Sequence, residues 1–106
     1  MAKANTIYSW KEKVVNTKAL EYAKRIRIVY REYVANDNLC VMLYTMGHEP
    51  YCDITKYIVP LKADLGYVEA NSEAERFVIE QDIGENQNRP IQSGFNTYNL
   101  YKFNLE

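Results

Sequence analysis

Histidine is almost missing from this chain of 106 residues, with His48 the single instance. A metal cage or proton relay needing two imidazoles is therefore excluded within one copy. Cys40 and Cys52 are the only cysteines, too few to staple a small fold and better suited to being buried, inert thiols. The four glycines are scattered; they form neither a phosphate-cradling loop nor a G-x-S-x-G nucleophile elbow. No apolar run approaches the ~20 residues of a membrane span. The N-terminus lacks the charged, apolar and small-residue succession of a signal peptide. A protein of a reducing cytoplasm, without a membrane partner, is expected.

What remains has the composition of an ordinary globular domain, 47% hydrophobic and 25% charged. One domain over 1–106 is expected, with the structure of its N-terminal segment, 1–24, left open. The net charge of −1 conceals a division. Residues 1–31 hold eight bases and two acids, a net +6, and the remaining residues hold five bases and twelve acids, a net −7. Such asymmetry marks either a polyanion site at the basic end or two halves that neutralise each other across the fold.

Candidates for chemistry are few. His48 lies in a turn between Gly47 and Pro50 with no nucleophile or orienting acid beside it. His48, Cys52 and Asp53 offer three nominal metal ligands, where a structural zinc takes four in paired spacings. A hairpin register with Met46 opposite Tyr51 puts Cys52 across from Thr45 and Cys40 across from Tyr57, so the thiols do not converge. The carboxylates of 64–85 fall largely on the outward side of a helix. No catalytic residue, cofactor or metal is expected, and the protein is read as non-enzymatic.

The periodicities define several elements. Ile7, Tyr8 and Trp10 open a short strand that Val14 and Val15 continue, and Thr17 to Lys24 has the spacing of one or two helical turns. Ile26, Ile28 and Tyr30 alternate with Arg25, Arg27, Val29 and Arg31 in a β-strand pattern. Ala35 to Asn38 is a turn, and Leu39 to Met46 reads as a central strand covered on both faces. Tyr51 to Val59 forms the next strand, stopped by Pro60. Ser72 and Glu75 form a capping box. Ala70, Ala74, Phe77, Val78 and Gln81 mark one helical face, with Gly84 as the expected stop. Residues 85–93 read as a polar loop and Gly94 to Phe103 as a closing strand. The fold class is α+β: a curled antiparallel sheet of about four to five strands with one main helix, about 72–83, on one face.

Ten tyrosines are the compositional surplus. In a thin sheet Tyr packs its ring while the hydroxyl reaches water, and at interfaces it supplies contact area at low entropic cost. Some are expected on a binding face. Beside Arg25, Arg27 and Arg31, Tyr rings also suit a surface that stacks bases while the arginines hold phosphates.

The segment Val68-Glu69-Ala70-Asn71, the acidic helix after it, and Ser93, Gly94, Phe95, Thr97, Tyr98, Leu100, Tyr101 and Phe103 in the pattern S-G-F-x-T-Y-x-L-Y-x-F carry a resemblance. The chain resembles a small domain-of-unknown-function family found on plasmids, conjugative elements and phages of gut-type bacteria. Upstream, Tyr33 to Asn36 with Leu39, and Glu49-Pro50-Tyr51 with Ile54-Thr55, fit that family's hairpin strands. The resemblance covers about 25–103. It departs at Asn99, where the family tends to have Pro, and at 11–24, which look like an insertion. It carries over no catalytic residue. It implies binding of a host component, with counter-defence a common role on such elements.

The expected function is a non-enzymatic binding protein of a phage or mobile element, an anti-CRISPR-type inhibitor that binds a host protein. The alternatives are a nucleic-acid-binding accessory protein using the basic N-terminal third, and an oligomeric sponge for a small molecule or nucleotide. Candidate partner-binding residues are Arg25, Arg27, Arg31, Tyr33, Tyr98 and Tyr101. A homodimer, formed through Gly94–Phe103 at a sheet edge or through 11–24, is left open.

Overall fold

The computed structural model describes residues 11–32, 38–61 and 64–105, with the side chains of Lys11 and Glu32 excepted. The strand expected at Ile7, Tyr8 and Trp10, the first residues of the Ala35–Asn38 turn, and Tyr33 lie outside the described residues. Two four-stranded antiparallel sheets replace the single curled sheet of four to five strands. The N-terminal sheet is a meander of β1 (Lys11–Asn16), β2 (Arg25–Glu32), β3 (Leu39–Tyr44) and β4 (Pro50–Asp53), in that spatial order. The C-terminal sheet holds β5 (Leu65–Glu69), β6 (Gly84–Asn86), β7 (Ile91–Ser93) and β8 (Asn96–Phe103), and α1 (Glu73–Gln81) is the one helix among the described residues.

The alternation expected for β2 holds: Ile26, Ile28 and Tyr30 are buried on the inner face, with Arg25 and Arg31 exposed on the other. In β3, Leu39, Val41 and Leu43 face inward and are buried, while Met42 and Tyr44 are only half-buried. The strand is therefore central, with one face fully covered. β4 ends at Asp53, well short of Val59. The Ile54 and Thr55 amides both donate to the Val41 carbonyl, and the Val41 amide donates to the Thr55 hydroxyl oxygen. A side chain has taken the ladder position, and the next amide, of Lys56, donates to Tyr67 in the other sheet. The β3–β4 register also differs from expectation. Cys52 opposes Leu43, not Thr45, because the turn closes through Thr45 and Glu49 and a register shift follows at Tyr44. Cys40 opposes Arg31.

Residues 17–24 form no helical turn. The Thr17 amide donates to the Lys24 carbonyl to close the loop. The Lys18 and Glu21 amides donate to the Glu80 and Glu73 carboxylates of α1 instead of to a preceding turn. Leu20 is buried from this loop into the core.

Ser72 caps α1 by accepting from the Glu75 amide. The Glu75 carboxylate reaches one residue further back than the capping box requires, accepting from the Asn71 amide. The helix stops at Asp82 in left-handed conformation (φ 55°), and Gly84, expected as the stop, opens β6 instead. The expected polar loop 85–93 holds most of β6 and all of β7, both paired to β8. Their sequences carry no hydrophobic alternation, so the pairing comes from β8. That strand is central to its sheet, with β5 on its other side, which corrects the expected edge position of 94–103.

One core cluster joins both sheets to Ala74, Phe77 and Val78 of α1. A smaller one, Tyr67, Tyr98 and Leu100, lies on the opposite face of the C-terminal sheet and is packed by Ile58, Leu61, Leu65 and Ile91. Among the described residues, no helix is long and apolar enough to cross a membrane.

Candidate functional site

The helix carboxylates, read from sequence as a solvated face, are committed to the fold. Glu75 is 7% exposed, contrary to that expectation. It accepts from the Asn71 amide at 2.8 Å, the Asn99 side-chain amide at 2.7 Å and the Tyr101 hydroxyl at 2.9 Å. Burial by itself pushes the Glu75 carboxyl up, but these donors outweigh it and hold the group below the usual carboxylate range. Burial, reinforced by the neighbouring Glu75 charge, pushes the Tyr101 phenol up to about 12. Glu73 accepts from the Tyr51 hydroxyl at 2.9 Å as well as from the Glu21 amide. Glu80 accepts from the Thr17 hydroxyl, the Lys18 amide and the Gln81 side chain. These carboxylates are lashings between elements, each held by donors it satisfies.

His48 is exposed in the β3–β4 turn, with its backbone at φ 70°. The Cys52 thiol is pushed up to about 11 by burial first and then by the Glu73 and Asp53 charges. That leaves almost no thiolate at neutral pH, whereas a nucleophilic cysteine needs the opposite shift. Cys40 is buried. Among the described residues no group of three or more His, Cys, Asp or Glu is placed to hold a metal ion.

The sequence-selected partner residues separate. Arg25 and Arg31 are exposed on the outer face of the N-terminal sheet, and the Arg31 guanidinium lies over the Tyr44 ring at 5.7 Å. Arg27, on the same face, pairs with Glu12 at 3.7 Å. Tyr98 and Tyr101 are buried in the two clusters on either face of the C-terminal sheet, far from the arginine face in the fold's layering.

Sequence reasoning missed Phe95. In β8 the apolar residues Tyr98, Leu100, Tyr101 and Phe103 are all buried. Phe95, in the turn just before, is 103% exposed, the most exposed large hydrophobic side chain among the described residues. The turn joins Ser93 to Asn96, which are paired across the hairpin. Gly94 has φ 64° and Phe95 does not share the positive sign, the pattern of a type II′ turn, in which Gly occupies the first central position. That turn matches the twist of the flanking strands and places Phe95 at the hairpin tip. The signal was available: a Gly-Phe pair flanked by Gln92, Ser93, Asn96 and Thr97 is a two-residue hairpin loop with an aromatic in it.

An α+β fold that shows two sheets and one helix among the described residues, with an aromatic-tipped hairpin, is the class of protein these features define. A family model matches residues 28–106, about three-quarters of the chain, and the chain belongs to that family, described as Domain of unknown function (DUF4313). The match begins within β2, so β1 and the 17–24 connection precede it. No curated protein and no solved structure was found similar to the chain.

Proposed function

We propose that the protein is a non-enzymatic binding protein that seats Phe95 in an apolar pocket of a protein partner. Its biological setting is counter-defence in the cytoplasm: an anti-CRISPR-type inhibitor, carried by a phage or mobile element, that binds a host protein. Phe95 carries the proposal. A phenylalanine ring kept wholly in water contributes nothing to its own fold, and burying it in a partner is worth roughly 2–3 kcal/mol. The rigid turn reduces the ordering cost of binding. The uncharged polar flank, with no Lys or Arg within two residues of Phe95, suits a protein pocket better than an anionic membrane surface. The setting itself rests on the family resemblance.

The test is site-specific photo-crosslinking in host cells, with the photoreactive residue at position 95 or, as a control, at the exposed Ile79 of α1. An adduct of one defined mass from position 95 and none from 79 is expected. Phe95→Ser, folded to the same melting temperature, should lose the partner that the wild type retains. Adducts of equal yield from both positions, or retention of the partner by Phe95→Ser, would remove the tip from the interface. Absence of any partner from the wild type would remove the binding reading itself.

A further inference from the structure

The division of charge along the sequence survives folding as a division between sheets. The described residues of the N-terminal sheet and its connections, 12–31 and 38–56, hold seven bases and four acids, a net +3. Residues 64–105 hold three bases and seven acids, a net −4. The two halves are not neutralised by ion pairs: both salt bridges among the described residues lie within the N-terminal half, Arg27 to Glu12 and Lys56 to Asp53. The acidic helix spends its carboxylates on backbone amides and hydroxyls instead. The basic sheet therefore keeps its cations.

Three of those cations share one face. Arg25, Arg27 and Arg31 take three of the four odd positions of β2, with buried Val29 the fourth, so all three stand on the outer side, opposite the Ile26, Ile28 and Tyr30 face. The acids on that side, Glu12 and Asp53, each already have a base, and Arg25 and Arg31 pair with no acid among the described residues. Tyr44 of β3 lies on the same face, opposite Arg27 in register. Its hydroxyl approaches the Met42 sulfur at 4.0 Å and its ring carries the Arg31 guanidinium at 5.7 Å. The ring and the guanidinium plane together offer a stacking platform, with cations spaced along the strand beside it.

We propose that this outer face binds single-stranded nucleic acid, with Arg25 and Arg31 on phosphates and a base stacked at Tyr44 and Arg31. A β-sheet face with an aromatic and interleaved arginines meets both requirements of single-strand recognition, a cationic track and a π-surface. A duplex keeps its bases stacked inside and has no use for the Tyr44 ring. The site is independent of Phe95, which lies in the other, acidic sheet.

The probe is a fluorescent oligodeoxythymidine of about a dozen nucleotides, its anisotropy followed from about 20 to 200 mM salt. Saturable binding is expected, with a log–log salt slope of about −1.4 for the two phosphates held by Arg25 and Arg31. Arg25→Glu with Arg31→Glu should weaken binding about tenfold or more and cut the slope by roughly 1 to 1.5, while Arg25→Lys with Arg31→Lys keeps the slope. Tyr44→Leu should lose about tenfold in affinity at unchanged slope, since it removes stacking and no charge. Far-UV circular dichroism confirms that each variant is folded. No anisotropy change for the wild type at the lowest salt, a slope unmoved by the glutamates, or equal affinity for a duplex of the same length would overturn the proposal.

Discussion

The phenolic hydroxyl of Tyr101 donates to Glu75 Oε2 at 2.9 Å, joining the central strand of the C-terminal sheet to the first turn of the helix above it. Both residues are buried, so the bond is made away from water, and its loss leaves the Glu75 carboxylate one donor short, with Asn71 and Asn99 still bonded. Tyr101→Phe should cost roughly 1.5–3 kcal/mol, the range for a hydrogen bond to a charged group, read as a drop in the urea midpoint at unchanged slope.

The same carboxylate sets an acid limit. The folded pKa of Glu75 lies below its unfolded value, so its contribution is fully present above the unfolded value, about 4.3, and is lost as pH falls through the folded one. The urea midpoint of the wild protein should therefore fall steeply below about pH 4. Glu75→Gln, which cannot titrate, should start lower and fall less steeply. Parallel profiles for the two proteins would show that the acid sensitivity arises elsewhere, with Glu80, whose carboxyl is also held low by its donors, the next group to replace.

Gly66 is required by space, not by backbone conformation. A Cβ there would stand 2.7 Å from Thr55 Cγ2 and 3.3 Å from Phe103 Cε1. Gly66→Ala should destabilise by about 1–3 kcal/mol through overpacking. Adding Thr55→Ser removes the obstructing methyl while keeping the hydroxyl that accepts from Val41. The double variant should melt higher than Gly66→Ala alone, and a simple sum of the two losses would contradict the steric account.

With its thiol pushed up to about 11, Cys52 should react slowly with a thiolate-selective reagent near pH 8. Buried Cys40 should be slower still. Both should label at the rate of a free thiol once urea unfolds the chain. Rapid labelling of one cysteine in the folded protein would point to an opening of the β3–β4 hairpin.

Ser72 caps the helix and also donates from its hydroxyl to the Glu69 carbonyl at 2.7 Å. Ser72→Ala should cost about 1–2 kcal/mol, seen as a lower melting temperature, and Ser72→Asp should restore most of it. No recovery by Asp would give the Glu69 bond the larger part.

Local chemistry made some of this fold legible. The β2 alternation, the apolar β3 run, the Ser72 cap and the helix face of Ala74, Phe77 and Val78 each follow from patterns a few residues long. The failures share one cause, which is partners supplied from a distance. Thr55 ends β4 by bonding to Val41, β6 and β7 exist because β8 pairs with them, and the 17–24 connection stays out of a helix because Glu73 and Glu80 take its amides. The site was half visible. Arg25, Arg27 and Arg31 were found through alternation, whereas Tyr44, the ring that Arg31 covers, was submerged in an apolar run. Phe95 is hidden in a motif whose pattern reads as one strand, although the Gly before it turns the chain.

Every strand of the C-terminal sheet takes its ladder from β8, and β8 follows all of them in the chain. During synthesis, α1, β6 and β7 emerge with no strand to pair with, and β5 has only the single Lys56–Tyr67 bridge to the earlier half. The whole half must wait, held at most by the helix and its contacts with the earlier meander, until the strand bearing Tyr98, Leu100, Tyr101 and Phe103 arrives and closes it in one cooperative step. A premature stop ahead of Asn96 would thus cost not one strand but an entire layer, and would leave the meander with its buried face uncovered.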